Sequence, residues 1–399
     1  MINRNIPKIR FKEFINNWNN YKLGQLGKFK SGIGFPDSQQ GGTEGIPFFK
    51  VSDMNNIGNE TEMRNANNYV TQEQIMKNSW KVIDETPAII FAKVGAALML
   101  NRKRLVTRPF LIDNNTMSYS FDESWDKDFG LTLFQTINLP KYAQIGALPS
   151  YNASDIAMIK VNVPNVQEQS AIGSLFHTLD DLLASYKDNL ANYQSLKTTM
   201  LSKMFPKTGH TVPEIRLDGF EGEWKEKEFS KLVKRVTQSS DSDSLPKVEF
   251  EDIISGQGKL NKDISTKFDN RKGIHFKPGY TLYGKLRPYL NNWLLPKFEG
   301  VALGDFWVFD PNGNDSNFIY YLVQSNRYQK VANDTSGTKM PRSDWKSVST
   351  TIFAIPQTIA EQQAIGAYFS NLDNLINSYQ DKISQLETLK KKLLKDMFI

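Results

Sequence analysis

NVQEQSAIGSLFHTLDDLLASYKDNLANYQSLKTTMLSKMF, residues 165–205, returns later in the same chain as TIAEQQAIGAYFSNLDNLINSYQDKISQLETLKKKLLKDMF, residues 358–398. The two stretches align without a gap, each residue of the second standing 193 places after its counterpart. Glu168-Gln169 falls on Glu361-Gln362, Ala171-Ile172-Gly173 on Ala364-Ile365-Gly366, Leu179-Asp180 on Leu372-Asp373, and Met204-Phe205 on Met397-Phe398. Seventeen of the 41 aligned positions are identical, which marks an internal repeat.

Both copies open with a capping-box pattern, Asn165-Val166-Gln167-Glu168 and Thr358-Ile359-Ala360-Glu361, just after Pro164 and Pro356. Apolar residues then step by three and four. In the first copy they are Ile172, Leu175, Leu179, Leu182, Tyr186, Tyr193, Leu196 and Met200; in the second, Ile365, Tyr368, Leu372, Leu375, Tyr379, Leu386, Leu389 and Leu393. A heptad pattern sustained for about four heptads predicts a coiled-coil seam rather than an ordinary surface helix. Leu183/Ile376 and Leu190/Ile383 widen the stripe. Asn189 and Lys382 make one seam position polar in both copies, as a solvent-edge residue or as a register pin. Pro206 and Gly209 stop the first helix.

A second echo precedes each globular region. PKIRFKEFINNW (residues 7–18) is answered by PEIRLDGFEGEW (residues 213–224), with Pro7, Ile9, Arg10, Phe14 and Trp18 falling on Pro213, Ile215, Arg216, Phe220 and Trp224. Each half of the chain therefore reads as a lead-in segment, a variable region and a long helix. This predicts an α+β fold with a pseudo-twofold internal repeat: 1–164, first mixed α/β region with its lead-in; 165–207, first long helix; 208–357, second such region; 358–399, second long helix. Within the regions, Val82-Ile83, Ala88–Phe91 and Ala96–Leu100 read as strands, as do Gly279–Tyr283, Val301–Leu303 and Trp307–Phe309; Asn317–Tyr328 reads as a short helix.

A chain of 399 residues is long for one core and favours two or more domains. Hydrophobic content of 39% and charged content of 23% are those of an ordinary globular protein. The absence of cysteine excludes disulfides, thiolate metal sites and cysteine nucleophiles, and fits a reducing compartment. The first residues lack the apolar core of a signal peptide, and the longest apolar run, Pro87–Leu100, is short and interrupted by Lys93, so a cytoplasmic, membrane-free protein is expected. A net charge of +6 leans towards polyanionic partners.

Catalytic signatures are missing. The sequence has no GxxxxGK[ST] phosphate loop, no GxGxxG turn and no HExxH pair. His177, His210 and His275 are far apart, and Glu223-Trp224-Lys225, which has an acidic-x-Lys nuclease spacing, answers to the inert Asn17-Trp18-Asn19. No catalytic residue, metal ligand or cofactor site is expected.

What the variable regions do carry is a combination of cationic and amide side chains beside aromatics and glycines. GKLRPYLNNW (residues 284–293) offers Lys285 and Arg287 for phosphates or guanine, Asn291 and Asn292 for adenine edges, and Tyr289 for packing on sugar or base. Lys339 and Arg342 form a second such loop. In the first region the corresponding residues are Asn101, Arg102, Lys103, Arg104 and Arg108 after the expected strand Ala96–Leu100; Ser150, Tyr151 and Asn152 as the counterpart of the Arg342 loop; and Lys30 and Ser31 at the start of a long loop. The bland alternative for each is a solvated charged turn.

Taken together, the P-x-I-R…W lead-ins, the phrase GKLRPY, the LPSYN and MPR loops and the twice-repeated (N/T)xxEQxAIG helix start resemble the specificity subunit of a Type I restriction–modification system, over the whole chain. The resemblance implies two target recognition domains, each reading one half of a bipartite, asymmetric site in double-stranded DNA. It implies an antiparallel coiled coil that sets their spacing and docks two methyltransferase subunits, with two ATP-driven restriction subunits in the full complex. S-adenosylmethionine, ATP and Mg would reside on those partners, and this chain would be non-catalytic. The first region lacks a GKLRPY phrase; FAKVG (residues 91–95), with Lys93, stands where one is sought. The competing readings are a tandem scaffold that binds protein rather than DNA, and a methyltransferase or nuclease with a concealed site. Against the latter, no (D/N)PP(Y/F) methyltransferase motif occurs.

Overall fold

The computed structural model describes residues 6–144, 148–267, 270–334 and 340–398. It comprises two compact units, one formed by Met1–Tyr186 with Lys382–Ile399 and the other by Lys187–Asp381. Each long helix, Val166–Lys203 and Ile359–Asp396, thus gives its first part to one unit and its last part to the other.

In the first unit an antiparallel sheet orders Gly27–Ser31, Thr116–Phe121, Ala88–Ala92 and Lys103–Val106 side by side. Its side chains alternate between two cores, as the period of two in a strand requires. Ile89, Phe91, Leu105, Met117 and Tyr119 face the core shared with the long helix; Ala88, Ile90 and Val106 face a smaller one. A second sheet orders Tyr69–Val70, Ile46–Phe49 and Leu111–Ile112, the last two parallel. The segment after the lead-in, Asn19–Lys22, pairs antiparallel with Lys160–Val163 immediately before the long helix.

The second unit repeats this plan in unlike sequence. Lys234–Val236, Phe306–Asp310, Thr281–Gly284 and Trp293–Leu294 form the same four-stranded order, and Lys225–Glu228 pairs with Ile352–Ile355 before the second long helix. A further sheet of this unit also ends in a parallel pair, Lys247–Val248 beside Gly300–Ala302.

Three local expectations are corrected. Val82-Ile83 forms no strand, Ile83 making only an isolated bridge to Phe110. Ala96–Leu100 is a 3-10 turn rather than a strand, because Gly95 (φ 80°) and Asn101 (φ 52°) bend the backbone at either end. Asn317–Tyr328 divides into two helices, Ser316–Leu322 and Asn326–Ala332, because the Ser325 hydroxyl accepts from Tyr328 N and caps a new start.

Within each unit the two long helices pack antiparallel. Phe176 meets Phe398 in the first unit; in the second, Phe205 meets Phe369 and Tyr193 stacks on Tyr379. Buried or half-buried positions run Ile172, Phe176, Leu179, Leu183, Tyr186, Leu190, Tyr193 on one helix and Ile365, Phe369, Leu372, Ile376, Tyr379, Ile383, Leu386 on the other. The seam therefore differs from the expected one at every second step. Leu182, Leu375 and Leu389 are exposed on its outer side, while Leu175, Leu196 and Tyr368 lie on its flank, half-buried against the domain cores. The physical reason is that Leu182-Leu183 and Leu375-Ile376 are both apolar, and the bulky Phe176 and Phe369 take the central positions from Leu175 and Tyr368. Asn189 and Lys382 also sit beside the seam, with Lys382 Nζ over the Tyr186 ring. Polar pairs also cross the contact: Lys197 lies 2.6 Å from Asp373, and its repeat counterpart Lys390 pairs with Asp180.

Candidate nucleic-acid interface

A duplicated socket holds each recognition face to its helix. Arg10 donates from Nε (2.6 Å) and Nη2 (2.7 Å) to the two carboxylate oxygens of Glu168, and Trp18 Nε1 donates to the same carboxylate at 3.2 Å. In the second unit Arg216 does the same on Glu361 (2.7 and 2.9 Å), with Trp224 Nε1 at 3.0 Å. A carboxylate only 1% exposed is tolerable because a fork of guanidinium donors and an indole satisfy it. The neighbouring glutamine reaches the domain: Gln169 Oε1 accepts from Asp126 N (2.9 Å) and Gln362 Oε1 from Asp315 N (3.0 Å). Asp126 and Asp315 in turn cap the helices Lys127–Thr136 and Ser316–Leu322. Gly173 and Gly366 let those caps approach; a Cβ would lie 2.5 and 2.7 Å from the capping carboxylates. Glu, Gln, Ile and Gly of the repeated EQxAIG thus each have a contact to make, and in the first copy Ser170 at x adds another, its Oγ donating to Asp126 Oδ2 at 3.0 Å.

On this frame each unit holds the same pair of loops. After strand Thr281–Gly284 the chain passes Lys285, turns at Arg287 (φ 48°), makes the 3-10 turn Pro288–Leu290 and turns again at Asn291 (φ 55°). Ser343 N donates to Lys285 O (2.8 Å) and Arg287 N to Pro341 O (2.7 Å), which fastens the Arg342 loop alongside. In the first unit, after strand Ala88–Ala92, Tyr151 N donates to Lys93 O (3.3 Å) and Gly95 N to Pro149 O (2.9 Å), and the turn ends at Asn101 in the left-handed region. AKVGAALMLN is therefore the structural counterpart of GKLRPYLN, with Lys93 on Lys285, Gly95 on Arg287 and Ser150 on Arg342.

The loop pair of the second unit concentrates positive charge. Lys285, Arg287, Tyr289 and Arg342 come together at its surface, Arg287 and Tyr289 exposed. Asp305, which the sequence reading did not single out, organises them: Arg342 Nη2 lies 3.0 Å and Lys285 Nζ 3.5 Å from its carboxylate. Burial pulls the Asp305 pKa upward, but the bond from Arg342 and the two positive charges outweigh it and hold it below the usual carboxylate value. The only sequence signal for Asp305 is its place just before the strand Phe306–Asp310 that neighbours GKLR.

Several residues expected to touch DNA do other work. Lys103 is buried, its Nζ donating to Asn101 Oδ1 (2.7 Å) and Ile137 O (2.6 Å), and burial lowers its pKa to about 7. Tyr151 is buried with its hydroxyl on Ala92 O, and Asn292 is buried within the strand turn. Asn101 shapes the turn, accepting from Leu139 N and Lys103 Nζ. Arg102, Arg104 and Arg108 lie against the segment 54–64, bonded to Asn55, Met54 O and Arg64 O. Lys30 belongs to an edge strand and pairs with Glu85; Ser31 ends that strand, exposed. Asn152 is exposed at the start of helix Ala153–Ala157, Ser150 is half-buried beside Val94, and Asn291 holds the second turn. Lys339 lies outside the described residues.

A repeated frame thus carries two loop pairs of the same build and unlike side chains. The sequence matches the family model of the Type I restriction modification DNA specificity domain twice, over residues 15–192 and 255–388, and the chain belongs to that family: it is a DNA specificity subunit. Among solved structures it is similar to the S subunit of a Type I restriction–modification system from M. genitalium, with a TM-score of 0.65 at 14% identity over 99% of each chain. It is also similar to a chain from a structure concerned with complex assembly and conformational transition of the type I R-M system (TM-score 0.51, 13% identity, 94% of this chain and 96% of that one). At these identities the likeness is one of fold. Comparison with curated proteins found no match. Among the described residues no cluster suits a metal ion, and no helix is long and apolar enough to cross a membrane.

Proposed function

We propose that the loop pairs centred on Lys93/Ser150 and Lys285/Arg287/Arg342 each read one half of a bipartite, asymmetric site in double-stranded DNA. The observation that supports this is their structural equivalence: the same two turns and the same paired backbone hydrogen bonds carry different side chains in the two units. Equal placement with unequal chemistry suits two half-sites of unequal sequence. The paired helices then set the unread spacer. Two methyltransferase subunits dock on the exposed leucines, Leu182 and Leu389 in one unit and Leu375 in the other. Two restriction subunits complete the assembly. S-adenosylmethionine, ATP and Mg reside on those partners, the chain itself is non-catalytic, and it works in the cytoplasm.

Mapping methylated adenines across the host genome, with and without this subunit, tests the reading directly; a map unchanged by its loss rejects it, as does methyl transfer by the chain alone. Lys285→Ala with Arg287→Ala should weaken specific binding by about 1–3 kcal/mol and relax selectivity in one half-site only. Unchanged DNA binding in a filter or anisotropy titration would favour the protein-binding scaffold instead.

A further inference from the structure

The tips of the two loop pairs are apolar where a polyanion reader should be polar. In the first unit Met99, Leu100 and Leu148 are exposed; in the second, Tyr289, Leu290 and Met340 are, with exposures between 38% and 63%. The positions correspond. Leu100 and Leu290 each precede the left-handed asparagine that closes the turn, Met99 and Tyr289 stand one place earlier, and Leu148 and Met340 each precede the proline that accepts the locking hydrogen bond. Each tip is rigidly held: two backbone bonds fasten the loops together, and in the second unit Gly256 N also donates to Asn291 O at 3.0 Å. Lys93, or Lys285 with Arg287 and Arg342, flanks the knob with positive charge.

We infer that each knob is a wedge that packs against the faces of DNA bases, partly opening one base step within or beside its half-site. This rests on the loop pairs being the DNA-reading surface. Duplex DNA is the occupant that the flanking cations favour, since a protein partner would meet a small apolar tip ringed by positive charge. Base edges in the major groove offer little apolar surface beyond the thymine methyl, too little to cover three large side chains, whereas an opened step exposes base faces. Base faces are also common to every sequence. That accounts for an apolar knob at the same place in two units whose other loop side chains differ.

The test uses the full chain with its methyltransferase partner and a duplex carrying the bipartite site found by methylation mapping. 2-Aminopurine replaces adenine, one position at a time, in and beside the half-site read by the first unit. That half-site is chosen because Met99, Leu100 and Leu148 do not quench the probe as an aromatic ring would. The wild type should raise fluorescence several-fold at one step. Met99→Ala with Leu100→Ala should abolish the rise and weaken specific binding at least tenfold with no change in Tm, as both side chains are exposed. Tight specific binding by the wild type with no rise at any position overturns the wedge, as does a double variant that behaves like the wild type. Lys93→Ala serves as the separate control: if it and the double variant both bind as the wild type does, the loop assignment itself fails and the wedge falls with it.

Discussion

At the scale of residues, the most consequential groups are two buried carboxylates, Glu168 and Glu361. Removing one member of a buried, hydrogen-bonded ion pair strands its partner, so Glu168→Ala and Glu361→Ala should each lower unfolding free energy by about 3–5 kcal/mol in urea titrations. A loss below about 1 kcal/mol would show that the sockets are dispensable. Their repeat was legible in the sequence, but their purpose was not, because Arg10 and Glu168 stand 158 residues apart. Lys103 makes the opposite case. Its folded pKa of about 7 lies below the usual ~10.5, so the unfolded chain holds more protons between those values. Stability contributed at this residue therefore rises with pH from about 7 to about 10.5, by at most about 1.4 kcal/mol per unit, and is flat below the window. Lys103→Met should remove that slope; a wild-type-minus-variant difference that stays constant from pH 6.5 to 9.5 contradicts it. Three consecutive cations conceal which one turns inward. The alternation of Lys103 with the buried Leu105 along one strand was the signal available.

At the scale of elements, sequence and structure agree on two long helices and part over which face of each is central. The three-four stepping fits two registers wherever leucines are adjacent, and only the partner helix chooses between them. The choice is measurable. Leu183→Ala should cost about 2–3 kcal/mol, whereas Leu182→Ala should leave stability within about 0.5 kcal/mol. On the proposed assignment, Leu182→Ala instead weakens capture of the methyltransferase subunit in a pull-down titration. Equal effects of the two substitutions on unfolding would refute the register. The ion pairs Lys197–Asp373 and Lys390–Asp180 use residues identical in both copies, so the repeat had preserved the pairing rule even where local stepping misread the seam.

At the scale of the whole molecule, the variable regions share a strand order that their sequences do not advertise. Short strands of unlike composition satisfy the same alternation between two cores, and pattern cannot reveal pairing order when the partners are distant. The helices show a related interchangeability. Met397 and Phe398 complete the core of the first unit, as Met204 and Phe205 do in the second. Ile9 N donates to Asp396 O as Ile215 N does to Lys203 O. A fragment ending at Gly209 lacks the first pair but carries the second, so two copies should trade tails and sediment as a dimer. Monomers at micromolar concentration would show that the two tails are not equivalent.

The twin sockets also bear on how such a chain changes over generations. Their contacts use side chains from the lead-ins, the helix starts and one capping aspartate per unit, and none from the loop tips. Alterations at the tips therefore leave the attachment undisturbed, and a face shaped for one target is replaceable by another seated on the same arginine, tryptophan and glutamate. On the proposed assignment, a change in what is read is thereby separated from the risk of not folding.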